Sequence, residues 1–122
     1  MPRIGVEALS NYKLAEGLVI QRPYLQGPDR PANIIEYARN QMDDDGFDPD
    51  AVVVAVSHSD EDSVLTMNMV AGFVFETLIA GMSDGWVVDN LLELFDAERE
   101  EVEQDVSDII GEMLEHGLIV EA

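Results

Sequence analysis

Ala51-Val52-Val53-Val54-Ala55-Val56 is the run that most limits what this chain can fold into. It is continuously apolar, and four of its six residues are β-branched valines. Residues of this kind favour a pleated strand over a helix. A run without polar alternation reads as a strand buried on both faces or nearly so. The strongest breaker in the chain, Asp43-Asp44-Asp45-Gly46-Phe47-Asp48-Pro49-Asp50, precedes it. Ser59-Asp60-Glu61-Asp62 follows as a polar turn, and Ser63 to Met67 returns as a second strand, which gives a hairpin.

Downstream, the period changes from strand to helix. Asn68 can cap a helix that runs to Ile79. Met69, Val70, Phe73, Val74, Leu78 and Ile79 make that helix apolar nearly all round, so it is expected to be central. Gly81 to Gly85 reads as a turn, and Trp86 to Phe95 as a second helix with Trp86, Val87, Leu91, Leu94 and Phe95 on one side. Asp96 is the expected N-cap of a third helix, with Glu98 and Glu100 near its positive end. In that helix Val102, Val106, Ile109, Ile110, Met113 and Leu114 form an apolar stripe at spacings of three and four. Gly117 is its expected C-cap, after which Leu118-Ile119-Val120 can fold back on the core.

Upstream, residues 1–16 read as an arm or a short strand. Gly17 to Arg22 is a plausible first strand, ended by Pro23. Gln26 to Pro31 is loop chemistry, Pro31 suits the first turn of a helix, and Ile34, Ile35, Tyr37, Ala38 and Met42 predict that helix over 32–42. The fold class is therefore α+β: a small antiparallel sheet of about three strands, then three helices, with an extra helical insertion near 31–42. We divide the chain into residues 1–50, the N-terminal strand, helical insertion and acidic linker, and a core over 51–122.

The chain has 122 residues, enough for one domain, and is 47% hydrophobic, enough for a real core. It lacks cysteine, which removes disulfides and thiolate metal sites. Its formal net charge is −20. After Arg39 there are 22 acidic residues and a single basic one, Arg99. A nucleic-acid binder needs Lys and Arg to displace counterions, so this chain would be repelled by phosphates. The acidity, with Lys13 as the one lysine, fits a surface adapted to high salt. The other reading is an acidic face that attracts a basic partner. The apolar stretches are too short to span a bilayer, and Met1 to Glu7 has no apolar signal core, so the expectation is a cytoplasmic protein with no membrane partner.

No catalytic, metal or cofactor constellation is visible. The Asp43 to Asp50 run resembles a calcium loop only superficially. With Gly46 at the sixth position, such a loop would need a carboxylate or Asn at Gln41 and a Glu at Val52. His58 sits at a strand end, and His116 in a last helical turn, where it suits the dipole. Ser57, Ser59, Ser63 and Thr66 near His58 have no nucleophile elbow. Phosphate-binding glycine motifs are absent. With 26 acids, carboxylate pairs arise by chance. Met67, Met69, Met82 and Met113 could line an adaptable peptide groove or simply fill the core, the reading preferred for Met69.

Leu65-Thr66-Met67-Asn68, the helix Trp86 to Phe95, Glu101 to Val106 and Met113 to Ile119 together carry a resemblance. Over Leu65 to Val120, a little under half of the chain, the run resembles the PqqD family of small winged-helix domains, also called RiPP recognition elements. The resemblance implies a peptide-binding accessory protein and not an enzyme. It implies that the leader of a ribosomally made precursor peptide is captured and presented to a modifying enzyme such as a radical-SAM protein or a cyclase. The leader would add as a strand to the edge of the third strand, in β-augmentation. That edge would be Val64, Leu65, Thr66 and Met67. Val106, Ile109, Ile110 and Met113 would form a helical wall, with Asp105, Asp108 and Glu112 on its rim. The chain departs from the family in the long segment Pro23 to Asp50, which could cap the sheet, form a homodimer or dock an enzyme. The alternative is an acidic winged-helix transcriptional regulator or protein–protein interaction module. Direct DNA reading is disfavoured, because the third helix carries acids where a recognition helix needs bases.

Overall fold

The computed structural model describes residues 12–26, 31–42, 48, 50–59 and 63–121. They fall into two compact units, one formed by Glu16–Phe73 and the other by Met1–Ala15 with Val74–Ala122.

The first unit holds a three-stranded antiparallel sheet in the order β2-β3-β4, where β2 is Leu18–Gln21, β3 is Val54–His58 and β4 is Val64–Met67. The expected first strand thus completes the sheet, pairing Leu18 with His58 through to Gln21 with Ala55. On the other side of β3, Val54 pairs with Met67 and Ser57 with Val64. The buried valine run is confirmed for Val53 to Val56, but the strand itself is shifted. Ala51 and Val52 precede it, Val52 is exposed, and Ser57 and His58 belong to it. The reason lies at Val53, whose N–H donates to Met67 O (2.8 Å) while Val54 is the register partner of Met67. Two residues opposite one is the pattern of a β-bulge, and it interrupts regular pairing there.

After β2, Pro23–Gln26 forms a 3-10 turn, and α1 covers Ile34–Met42. The helix starts two residues later than expected, and Pro31 lies outside it. The start is set by Asn33, whose Oδ1 accepts from Glu36 N–H (2.9 Å), while Glu36 Oε2 accepts from Ala32 N–H (3.3 Å). The Asn33 side chain thus satisfies a first-turn donor that the helix itself cannot, and Glu36 holds the residue before the cap. The Tyr24 and Tyr37 rings meet at 5.5 Å between centroids, tilted by 55°. Most of the acidic linker lies outside the described residues. At its end, Asp48 Oδ1 accepts from Asp50 N–H (3.0 Å).

Helix α2, Met69–Ile79, begins in this unit, and the division between units falls inside it after Phe73. Asn68 caps it as expected, its Oδ1 accepting from Ala71 N–H (3.0 Å). Phe73, Val74, Phe75 and Leu78 are buried, in keeping with an apolar girth, and Glu76 and Thr77 are buried among them. Phe75, fully buried, joins the core residues expected from the sequence.

The second unit contains the rest of α2, then α3 (Asp84–Leu94), α4 (Arg99–Glu115) and a two-stranded antiparallel sheet of β1 (Tyr12–Leu14) with β5 (Ile119–Glu121). Helix α2 ends in a Schellman turn. Met82 N–H donates to Thr77 O (3.0 Å) and Gly81 N–H to Leu78 O (3.0 Å), with Gly81 at φ 105°. Ser83 then caps α3, its Oγ accepting from Trp86 N–H (3.2 Å), so Asp84 and Gly85 are helical and not turn residues. Helix α4 begins at Arg99 with Glu98 at its N-cap, so Asp96 is not the cap. Val102, Val106, Ile110 and Met113 are its buried stripe, Ile109 is half-buried and Leu114 is exposed. Gly117, at φ 70°, closes α4 in a second Schellman turn that brings buried Leu118 back towards buried Met113. Ile119 then pairs with Leu14. The element content is α+β and compatible with a winged-helix-like fold.

Candidate peptide-binding edge

β4 is an edge strand: among the described residues it pairs with β3 on one side only. The direction of its backbone groups follows from the ladder. Ser59 N–H donates to Gly17 O (2.9 Å), which turns the odd-numbered residues of β3 towards β2. The even-numbered Val54 and Val56 therefore face β4, opposite Met67 and Leu65. Met67 O accepting from Val53 agrees with this. Leu65 and Met67 thus turn their N–H and C=O groups towards β3. Val64 and Thr66 turn theirs to the open side.

Side chains alternate along the same strand. Val64 is 57% exposed and Thr66 is exposed, whereas Leu65 is half-buried and Met67 only 5% exposed. The strand therefore offers one wet face, one dry face and a row of outward donors and acceptors. A chain laid antiparallel or parallel on that row would complete it.

The residues expected on the helical wall lie on α4, in the other unit. Val106, Ile110 and Met113 are buried at 2%, 6% and 3% exposure. Asp105 is exposed and Ile109 half-buried. Asp108 accepts from Gln104 Nε2 (2.9 Å), and Glu112 is exposed. Met67 and Met69 are both buried. Arg99, the one cation of α4, donates to Asp89 Oδ1 of α3 at 2.7 Å. That bond is the first cause that holds the guanidinium in its charged form.

A feature the sequence reading missed lies within the second unit. It is a cleft of ≈ 260 Å³ whose floor is Val88, Val106 and Ile110, with Asp84, Glu103 and Ser107 around it and Tyr12 at one side. Its α3 part is not visible in the sequence, where Asp84 and Gly85 read as a turn. Its Tyr12 part depends on a pairing between the two ends of the described chain, for which three-residue strands leave no local signal.

Among the described residues, no group of three or more His, Cys, Asp or Glu is arranged to hold a metal ion, and no helix is long and apolar enough to cross a membrane. The family model described as Coenzyme PQQ synthesis protein D (PqqD) matches residues 52–119. The chain belongs to the PqqD family. The match takes in β3, β4 and all three helices that follow, and membership supports peptide recognition by a non-catalytic accessory protein as the general kind of function. No curated protein and no solved structure matches the chain.

Proposed function

We propose that this PqqD-family chain captures the leader of a ribosomally made precursor peptide as an added strand on β4 and presents it to a modifying enzyme, a radical-SAM protein or a cyclase. The chain itself catalyses nothing in this reading and works in the cytoplasm. The observation that carries it is the side of β4 that no described strand pairs with, to which Val64 and Thr66 direct backbone donors and acceptors. Main-chain bonds to that row supply affinity, and alternate side-chain positions supply specificity. On α4, Ile109 with Asp105 and Glu112 forms the flank proposed to meet the leader, backed by Val106, Ile110 and Met113. The segment Pro23 to Asp50 is left for enzyme docking or a homodimer. The regulator reading gains nothing from α4, whose single cation is tied to Asp89.

Calorimetry with the leader encoded beside this gene tests the reading. Thr66→Pro removes an outward N–H without touching the bonds to β3. Ile109→Asp places a charge on the proposed wall. Each should weaken binding by about 1–3 kcal/mol, the usual cost of leaving a polar group unpaired. Glu112→Gln on the rim should cost much less. Unchanged affinity in both Thr66→Pro and Ile109→Asp, with folds intact, would move the site elsewhere.

A further inference from the structure

Helix α4 has two flanks beside its buried stripe. At about 100° per residue, Asp105, Ile109 and Glu112 fall on one side of the stripe, and Glu103 and Ser107 fall on the other. The second flank is a wall of the ≈ 260 Å³ cleft. We propose that this cleft receives an arginine side chain from the surface of the modifying enzyme. The inference rests on the reading that the chain presents a leader to such an enzyme, and it concerns the second of the two partners.

The chemistry of the cleft selects the ligand. Val88, Val106 and Ile110 give an apolar floor that suits an aliphatic stem. Asp84 on α3 and Glu103 on α4 place carboxylates at the lining, and Ser107 adds a hydroxyl. Among the described residues, no cationic side chain lines the cleft. Arg99, one turn before Glu103, attracts it but bonds Asp89 at 2.7 Å. A planar guanidinium can bond two acceptors at once, which an ammonium does less well, and Tyr12 adds an aromatic ring to the lining. The whole chain favours the same occupant, because a net charge of −20 draws in a basic surface and speeds its encounter. The leader is proposed to pair with β4, none of whose residues lines the cleft.

The test begins with the peptide acetyl-Gly-Arg-Gly-amide, titrated at constant ionic strength and followed through backbone amide shifts. Saturable shifts are expected at Gly85, Val88, Glu103 and Ser107. The same peptide with citrulline, a neutral isostere, should bind much more weakly. Glu103→Gln should weaken the arginine peptide roughly two- to fivefold, the range for a part-exposed ion pair. Asp108→Asn, on the same helix outside the cleft, should change nothing. Gly85→Leu should block binding; a Cβ there meets only Ser83 Oγ at 4.0 Å, so the helix can carry the larger residue. Equal binding of the citrulline peptide, or equal losses in Glu103→Gln and Asp108→Asn, would overturn the proposal. A second arm titrates the leader into Glu103→Gln. Unchanged leader affinity supports the assignment to the enzyme, and a drop would give the cleft to the leader and overturn it. Failure of the leader to bind the wild-type chain would sink the leader reading alone, because the arginine peptide reports independently.

Discussion

Gly72 and Gly111 are both helical glycines, and the structure sets opposite expectations for them. A Cβ at Gly72 would lie 2.5 Å from Val53 Cγ2, and Val53 is itself buried beside the bulge. Gly72→Ala gains about 0.5–1 kcal/mol of helix propensity but meets an overpacking cost of about 1–3 kcal/mol. A β-branched neighbour is stiff at χ1, so the cost wins. A Cβ at Gly111 meets nothing within 4 Å. Gly111→Ala should therefore stabilise by about 0.5–1 kcal/mol. Urea midpoints for the two variants should move in opposite directions; a stabilised Gly72→Ala would mean that the contact with Val53 is not tight. Tyr37 gives a pH expectation. Burial raises its phenol above the ordinary 10.0. The folded state then holds the proton more tightly than the unfolded chain does. The resulting stability is whole below pH about 10 and is lost as pH rises through the folded-state value. Tyr37→Phe should show a shallower loss of stability across the alkaline range, followed by denaturant melts. An identical slope in both proteins would assign the alkaline loss to other groups.

At the scale of elements, β4 is the part on which the proposed function turns. Leu65→Pro and Thr66→Pro separate its two sides. The Leu65 N–H faces β3, so its loss should break the ladder and unfold the sheet, a large drop visible in thermal melts. The Thr66 N–H faces outward, so the second variant should keep most of its stability while losing the leader. Equal destabilisation by both would show that the edge is not as open as the ladder indicates. The strands and helices were legible where their signals are local. The valine run, the Asn68 cap, the stripe from Val102 to Met113 and the Gly117 stop all depend on residues within a turn or two. The pattern Asn33-Ile34-Ile35-Glu36 could have fixed the start of α1, because Asn followed three residues later by Glu is a capping signature. Asp96 misled because acids crowd that segment, and only geometry distinguishes the cap from its neighbours. The pairing of β1 with β5 was not legible at all. Likewise the edge at β4 came from resemblance to a family, whereas the cleft beside α4 required coordinates.

At the scale of the whole molecule, the acids dominate. With 26 acids against 6 basic residues, self-repulsion opposes the compact state. Screening shortens from about 30 Å at 0.01 M salt to about 3 Å at 1 M. The thermal midpoint should therefore rise across that range, and a midpoint that falls would remove charge repulsion as a governing term. The same charge directs partners. A surface of this sign disfavours phosphate backbones and favours basic surfaces, which suits the proposed role between a leader and an enzyme. The central claim is that the leader becomes the next strand of the sheet. Amide hydrogen exchange at Val64, Leu65, Thr66 and Met67, with and without the leader encoded beside this gene, tests it most directly. The Thr66 and Val64 amides should exchange readily in the free protein and become protected on saturation with leader. Leu65 and Met67, already bonded to β3, should change little. If the leader binds and the Val64 and Thr66 amides stay unprotected, it is not held as a strand on β4.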